Sequence, residues 1–150
     1  MSKHTLSGIA GVHYVASELS RRGLIALPTT KNLPAFDILV ANVEGTKHAN
    51  IQVKASSKRA PFFPMPPPEK VRTGPRDYYV FVRWIESERR YEGFLLKGRE
   101  ARKAVEETCA WQQINIGKGT RTKVFPTVNV TPMRSPNVEK WKNAWENWML

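Results

Sequence analysis

From Ser7 to Arg22, apolar side chains at Ile9, Val12, Val15, Ala16 and Leu19 recur every three or four residues, the spacing of one face of a helix. Ser7 offers a hydroxyl to cap its start, and Arg21, Arg22 and then Gly23 supply a basic last turn and a stop. Beyond Gly23 the period changes to two. Leu24–Leu27, Phe36–Val43 and Ala49–Ala55 read as strands, and Glu44-Gly45-Thr46-Lys47 carries the turn chemistry that joins the last two into a hairpin over residues 36–55. Tyr78–Ile85 and Tyr91–Leu96 form a second hairpin, Arg99–Thr108 a helix and Lys123–Val130 a further strand. Asn137–Leu150 is a terminal helix, on which Trp141, Trp145 and Trp148 have the spacing of core packing or a dimer face.

Between the two hairpins, residues 56–77 hold six of the eleven prolines, which predicts a stiff, extended loop that no core sheet can accommodate. The order of elements is helix, sheet, helix, strand, helix. It defines an α/β protein with a mixed central sheet flanked by helices, and 150 residues are expected to form a single domain spanning 1–150. With 41% apolar residues, five Trp and six Phe, the chain can bury a core without disulfides, and no apolar run approaches the length a membrane-spanning helix requires. The polar start, Met1–Ser7, has no secretory pattern, so the expected location is the cytoplasm with no membrane partner. Cys109, the single cysteine, excludes an internal disulfide and any cysteine-rich zinc site.

In Phe36-Asp37-Ile38-Leu39-Val40 both alternate faces are apolar except for the aspartate, so Asp37 is a buried or cleft-facing charge. A two-residue turn at Gly45-Thr46 would pair Glu44 with Lys47 and set Asp37 opposite Lys54. Gln52 and Lys54 project from one face of their strand while Ile51 and Val53 point the other way, so Asp37, Gln52 and Lys54 can converge. A carboxylate and an amide oxygen are hard ligands suited to Mg²⁺ or Mn²⁺, and a lysine beside them can orient an attacking water and offset charge on a phosphate. The same trio also reads as a buried Asp37–Lys54 ion pair, with Gln52 completing its hydrogen bonds and no metal at all.

Asp37, followed by Gln52-Val53-Lys54, resembles the PD-(D/E)xK motif of restriction endonuclease-like nucleases, in a QxK variant. Gly8-x-x-Gly11 in the first helix and Ser20-Arg21-Arg22-Gly23 at its end are similar to prokaryotic members related to Holliday-junction resolvases and to other endonuclease-like proteins. The resemblance covers residues 7–55. It implies a restriction endonuclease-like fold and a Mg²⁺-dependent endodeoxyribonuclease, with Asp37, Gln52 and Lys54 as catalytic residues and Asp37 and Gln52 on the metal; it leaves a homodimer open. Two departures stand out: Gln52 replaces the usual Glu or Asp, and the family's first-helix glutamate falls on Val12, leaving Asp37 as the sole strong ligand. Glu18 lies almost opposite the apolar stripe and should face solvent. His13, at the edge of that stripe, reads either as an ordinary boundary histidine or as a ligand reaching the cleft.

The formal charge of +11 makes nucleic acid, DNA in the first place, the leading partner class. Lys58, Arg59, Lys70, Arg72 and Arg76 lie around Phe62 and Phe63 in the proline-rich loop, a mixture suited to phosphate contacts and base stacking, and Lys118 sits in a basic Gly-Lys-Gly turn. Two other readings fit the same features. One is an inactive nuclease-fold protein that binds nucleic acid or a protein; the other is an interaction module using the proline loop and the tryptophan helix.

Overall fold

In the computed structural model, residues 2–30, 36–116 and 124–147 are described. Helix α1 (Lys3–Ser20) begins four residues before the predicted start, because Ser2 rather than Ser7 caps it: its Oγ accepts from the Thr5 N–H at 3.2 Å. Ser7 instead lies inside the helix and donates back to the Lys3 carbonyl. Gly23 ends the segment with φ +81°, a conformation that favours glycine. Strands β1 (Ile25–Pro28), β2 (Ile38–Ala41), β3 (His48–Ser56), β5 (Asp77–Ile85) and β6 (Arg90–Lys97) form one sheet in the order β1-β2-β3-β5-β6. All neighbours are antiparallel except β3 and β5, which makes the sheet mixed, as predicted.

The parallel pair requires a crossover, and the proline-rich segment provides it. This segment is not wholly loop: β4 (Phe62–Pro64) pairs with β7 (Thr127–Asn129) in a separate two-stranded sheet, and Pro68–Lys70 forms a short 3₁₀ turn. Proline cannot donate to a ladder, so these residues are confined to a small edge sheet while the Val- and Ile-rich segments take the centre. Phe63, Met65 and Val71 from the crossover are core residues. The predicted strand at 123–130 is thus shorter than expected, with Lys123 itself outside the described residues.

The sheet separates two apolar layers. On one side, Val15, Ala16 and Leu19 of α1 pack on Ile38, Val40, Ile51, Val53, Val80 and Val82. Gly11 permits this approach, since a Cβ there would lie 2.4 Å from the Ala55 Cβ. On the other side, helix α2 (Gly98–Ile116), longer than the expected 99–108, covers Tyr79, Phe81, Phe94 and Leu96 with Ala101, Ala104 and Val105. The predicted terminal helix is broken. α3 spans only Val138–Trp141, Asn143 takes φ +46°, and Trp145–Asn147 is a separate 3₁₀ turn. The break lets the two tryptophans serve different layers, Trp141 on the α2 side and Trp145 on the α1 side, whereas a continuous helix would hold both on one face. Trp148 lies outside the described residues.

Candidate active site

The register of the β2–β3 hairpin decides which side chains meet. Its turn spans 42–47 rather than Gly45-Thr46 alone, because Asn42 closes it: the Asn42 N–H donates to the Lys47 carbonyl, and the Asn42 Oδ1 accepts from the Lys47 N–H at 2.8 Å. Ile38 therefore lies opposite Ile51 and Ala41 opposite His48, so Asp37 stands beside Gln52, not opposite Lys54 as predicted. A shift by two residues preserves the face. Asp37, Gln52 and Lys54 remain together on the side of the sheet away from α1.

Asp37 is half-buried, and its Oδ2 accepts from Gln52 Nε2 at 2.5 Å and from the Val53 N–H at 2.7 Å. Burial raises its carboxyl above the ordinary aspartate range, against the opposing pull of the Val53 N–H, the Lys54 charge and the Gln52 amide. Lys54 forms no ion pair with Asp37, so the closed Asp37–Lys54 pair of the metal-free reading is not formed. What stands on β3 is a polar row at period two: Asn50, Gln52, Lys54 and Ser56. Asn50 and Ser56 belong to this row by the same alternation that flagged Gln52 and Lys54. α2 packs over β5 and β6, and the β1–β3 half of this face stays accessible, with Ile25 and Leu27 exposed on the edge strand β1 and Gln52 and Lys54 half-buried on β3.

The donor set suits a weakly held hard cation. Asp37 has a second carboxylate oxygen beyond the one that takes both hydrogen bonds, and Gln52, having given its nitrogen to Asp37, has its amide oxygen left for a ligand. Mg²⁺ commonly binds through one or two protein groups, its remaining positions filled by water and substrate phosphate. Among the described residues no cluster of three or more His, Cys, Asp or Glu forms a complete cage.

The remaining candidates are distributed differently from their order in sequence. Lys58 and Arg59 are exposed just beyond the end of β3, where the Lys58 N–H donates to Ser56 Oγ. Arg72 and Arg76 lie at the opposite end, beside the Asn50–Asp77 rung: Arg72 Nε is 3.4 Å from Asp77, and Arg76 is 2.8 Å from a His48 ring nitrogen. Lys70 sits on the 3₁₀ turn that packs on α2. The basic residues thus flank the trio at both ends of β3 and do not surround the two phenylalanines; Phe63 is core, and Phe62 is 49% exposed. Lys118 lies outside the described residues. His13 is exposed on α1, and Val12 packs in the α1 layer, so both are separated from the trio by the sheet. Glu18 is only 15% exposed, contrary to its predicted solvent position, because Arg21 and Arg22 both fold onto its carboxylate.

One consequence concerns stability. A carboxyl whose folded pKa is raised binds more protons folded than unfolded, so its contribution to stability falls as pH climbs from the unfolded to the folded pKa. Asp37→Asn keeps an acceptor for the Val53 and Gln52 donors and removes the desolvated charge. The variant is expected to melt no lower than the native chain at pH 7, with any advantage shrinking as the pH is lowered through the carboxylate range; a clear drop in its melting temperature at pH 7 would show that the charge is needed for folding.

The chain is an α/β protein with a mixed five-stranded sheet, a helical layer on each side and a polar row containing Asp37, Gln52 and Lys54 on the accessible half of one face. Among solved structures, the chain is similar to a bacterial homing endonuclease, I-Ssp6803I, at a TM-score of 0.55 and 14% sequence identity, over 98% of this chain and 91% of that one. At that identity the likeness concerns the fold. No protein-family model matches the chain, and no curated protein does.

Proposed function

We propose that this protein is a metal-dependent nuclease that hydrolyses phosphodiester bonds in DNA, through the site of Asp37, Gln52 and Lys54. The observation that carries the reading is the convergence of these three side chains on the accessible half of the sheet, in a fold shared with an endonuclease. Asp37 and Gln52 would hold Mg²⁺ or Mn²⁺, which in such a site supplies a Lewis acid and a water of lowered pKa. Lys54, two residues along the same face, brings an ammonium that holds the scissile phosphate and the attacking water in line and offsets charge developing on the phosphoryl oxygens. Lys58 and Arg59 at one end of β3, and Arg72 and Arg76 at the other, extend the positive surface along a backbone passing over the trio.

The test is incubation of the purified protein with labelled linear, single-stranded and branched DNA, with and without Mg²⁺ or Mn²⁺, with Asp37→Ala in parallel. Cutting that needs the metal and disappears in the variant is expected. DNA binding without cutting, unchanged in the variant, would replace this reading by the inactive-relative one. That second reading has an observation of its own: one Asp37 oxygen, Oδ2, is already engaged by two hydrogen bonds, and among the described residues no group of three or more His, Cys, Asp or Glu gathers at the site. It predicts salt-sensitive association with DNA and no hydrolysis.

A further inference from the structure

On the side of the central sheet that carries Asp37, Gln52 and Lys54, the β4–β7 sheet, helix α2 and the connector after β7 border a groove of about 910 Å³. β4 brings this groove close to the trio. Phe63 points inward and rests on Phe81 at 5.3 Å between ring centres, and Phe81 shares its rung with Lys54. Phe62, the next residue back along β4, faces the other way and lines the groove. The chain between the end of β3 and Phe62 runs through Lys58 and Arg59, both exposed and neither in an ion pair among the described residues.

Solvent reaches the rings of the groove: Phe62 is 49% exposed, Phe125 63% and Trp111 38%. Phe62 and Phe125 stack on no other ring among the described residues, so their faces are open. Phe125 is fixed in its exposed position, because the Gln112 amide accepts from its N–H and donates to its carbonyl, both at 2.8 Å. Arg134 lies over the Trp111 ring at 3.5 Å from its centre and forms no ion pair among the described residues, which leaves its N–H edge for an anion. The one carboxylate in the lining, Glu107, has Lys103 at 4.0 Å.

We infer that this groove takes the unpaired bases of a DNA strand that leaves the trio past Lys58 and Arg59, with Phe62 and Phe125 as stacking surfaces and Arg134 on a phosphate. The inference deepens the DNA reading above and rests on it: the substrate class it names is DNA with a single-stranded segment. In a duplex both faces of a base are covered by its neighbours, so rings set in a groove can serve only bases that are unpaired. An uncharged apolar peptide would use the same walls but leave Lys58, Arg59 and Arg134 without partners, whereas a strand supplies a phosphate at each nucleotide.

The full chain is titrated, in chelator so that no strand is cut, with a labelled thymidine oligonucleotide, an abasic oligonucleotide of the same length, a blunt duplex and a forked duplex with single-stranded arms, following fluorescence anisotropy. The thymidine strand and the fork are expected to bind about tenfold more tightly than the abasic strand and the blunt duplex. Phe62→Ala and Phe125→Ala, at exposed rings, should each keep the native melting temperature and weaken the thymidine strand about tenfold while leaving the duplex unchanged; Phe125→Tyr should restore the affinity. Arg134→Gln should reduce the slope of log affinity against log salt for the strand by about 0.7. The inference is overturned if no DNA binds, if the abasic strand or the blunt duplex binds as well as the thymidine strand, if both alanine variants bind the strand like the native chain, or if they lose affinity for an uncharged apolar peptide instead. Cutting is read separately with Mg²⁺ or Mn²⁺ restored: its absence, with the preference for unpaired bases intact, would count against the nuclease reading and not against the groove.

Discussion

Lys54→Ala is expected to lower the proposed metal-dependent cleavage of DNA by about 10²- to 10⁴-fold, the range found when a positioned proton-transfer or charge-stabilising group is removed. The melting temperature should hardly move. Lys54 is half-buried and forms no ion pair among the described residues, so its loss strands no buried partner there. The pH profile carries a second signature. Burial already raises the Asp37 carboxyl, and the Lys54 charge is one of the influences holding it down. Without that ammonium the Asp37 carboxyl should rise further, so any residual cleavage should fall away in acid from a higher pH than in the native chain. Lys54→Arg separates the two roles of the lysine: full rescue would mean that positive charge suffices, and failure would mean that a compact amine near the water is required. A normal rate in Lys54→Ala would remove Lys54 from the mechanism.

The largest loss of stability is expected from Glu92→Gln, at about 3–5 kcal/mol, the cost of breaking a buried ion pair from one side. Arg83 and Glu92 face each other across β5 and β6 with side chains only 9% and 5% exposed, linked at 2.6 Å, while Lys142 reaches the other carboxylate oxygen at 3.0 Å. Burial alone would raise the Glu92 carboxyl, but the bonds from Lys142 and Arg83 outweigh it and hold the group below the usual glutamate range. A depressed carboxylate stabilises the fold above its unfolded pKa and loses that contribution as pH falls through the folded one, so the native chain should weaken in acid in a way the variant does not. Urea unfolding at pH 7 and pH 4 measures both effects; equal midpoints for native and variant at pH 7 would contradict the assignment. The double change Arg83→Met with Glu92→Leu should recover much of the loss, because no buried charge is then left unpaired and Lys142, whose side chain is 38% exposed, can turn to solvent.

This pair also bears on the site. Arg83 donates to the Ala60 carbonyl at 2.8 Å and lies on the rung of Ser56, one step along the face from Lys54. It therefore fastens the segment that carries Lys58 and Arg59. In Glu92→Gln the release of that segment should weaken the proposed DNA binding beyond what the global loss of stability explains.

The period of the apolar positions was enough to locate α1, both hairpins and α2, because a helix or strand that buries one face must repeat its hydrophobic residues at that spacing. Charge singled out Asp37 in its apolar strand, and alternation set Gln52 and Lys54 on one face, since that depends on residue parity alone. Register does not: Asn42 closed the turn with its side chain, and Asp37 moved from Lys54 to Gln52 with the face unchanged. The proline-rich crossover reads as loop locally, yet β7, more than sixty residues further along the chain, offers Phe62–Pro64 a partner and turns it into a strand. The terminal helix broke because two buried layers competed for Trp141 and Trp145. Glu18, outward on a helical wheel, was covered by Arg21 and Arg22 folding back onto it. Tyr14, Tyr91 and Trp145 come from segments far apart in sequence and meet only when α1 and the C-terminal segment pack on the same face of the sheet. Local pattern thus determined the elements and which face each residue takes; long-range pairing and packing decided partners and register, because those depend on residues that the sequence keeps apart.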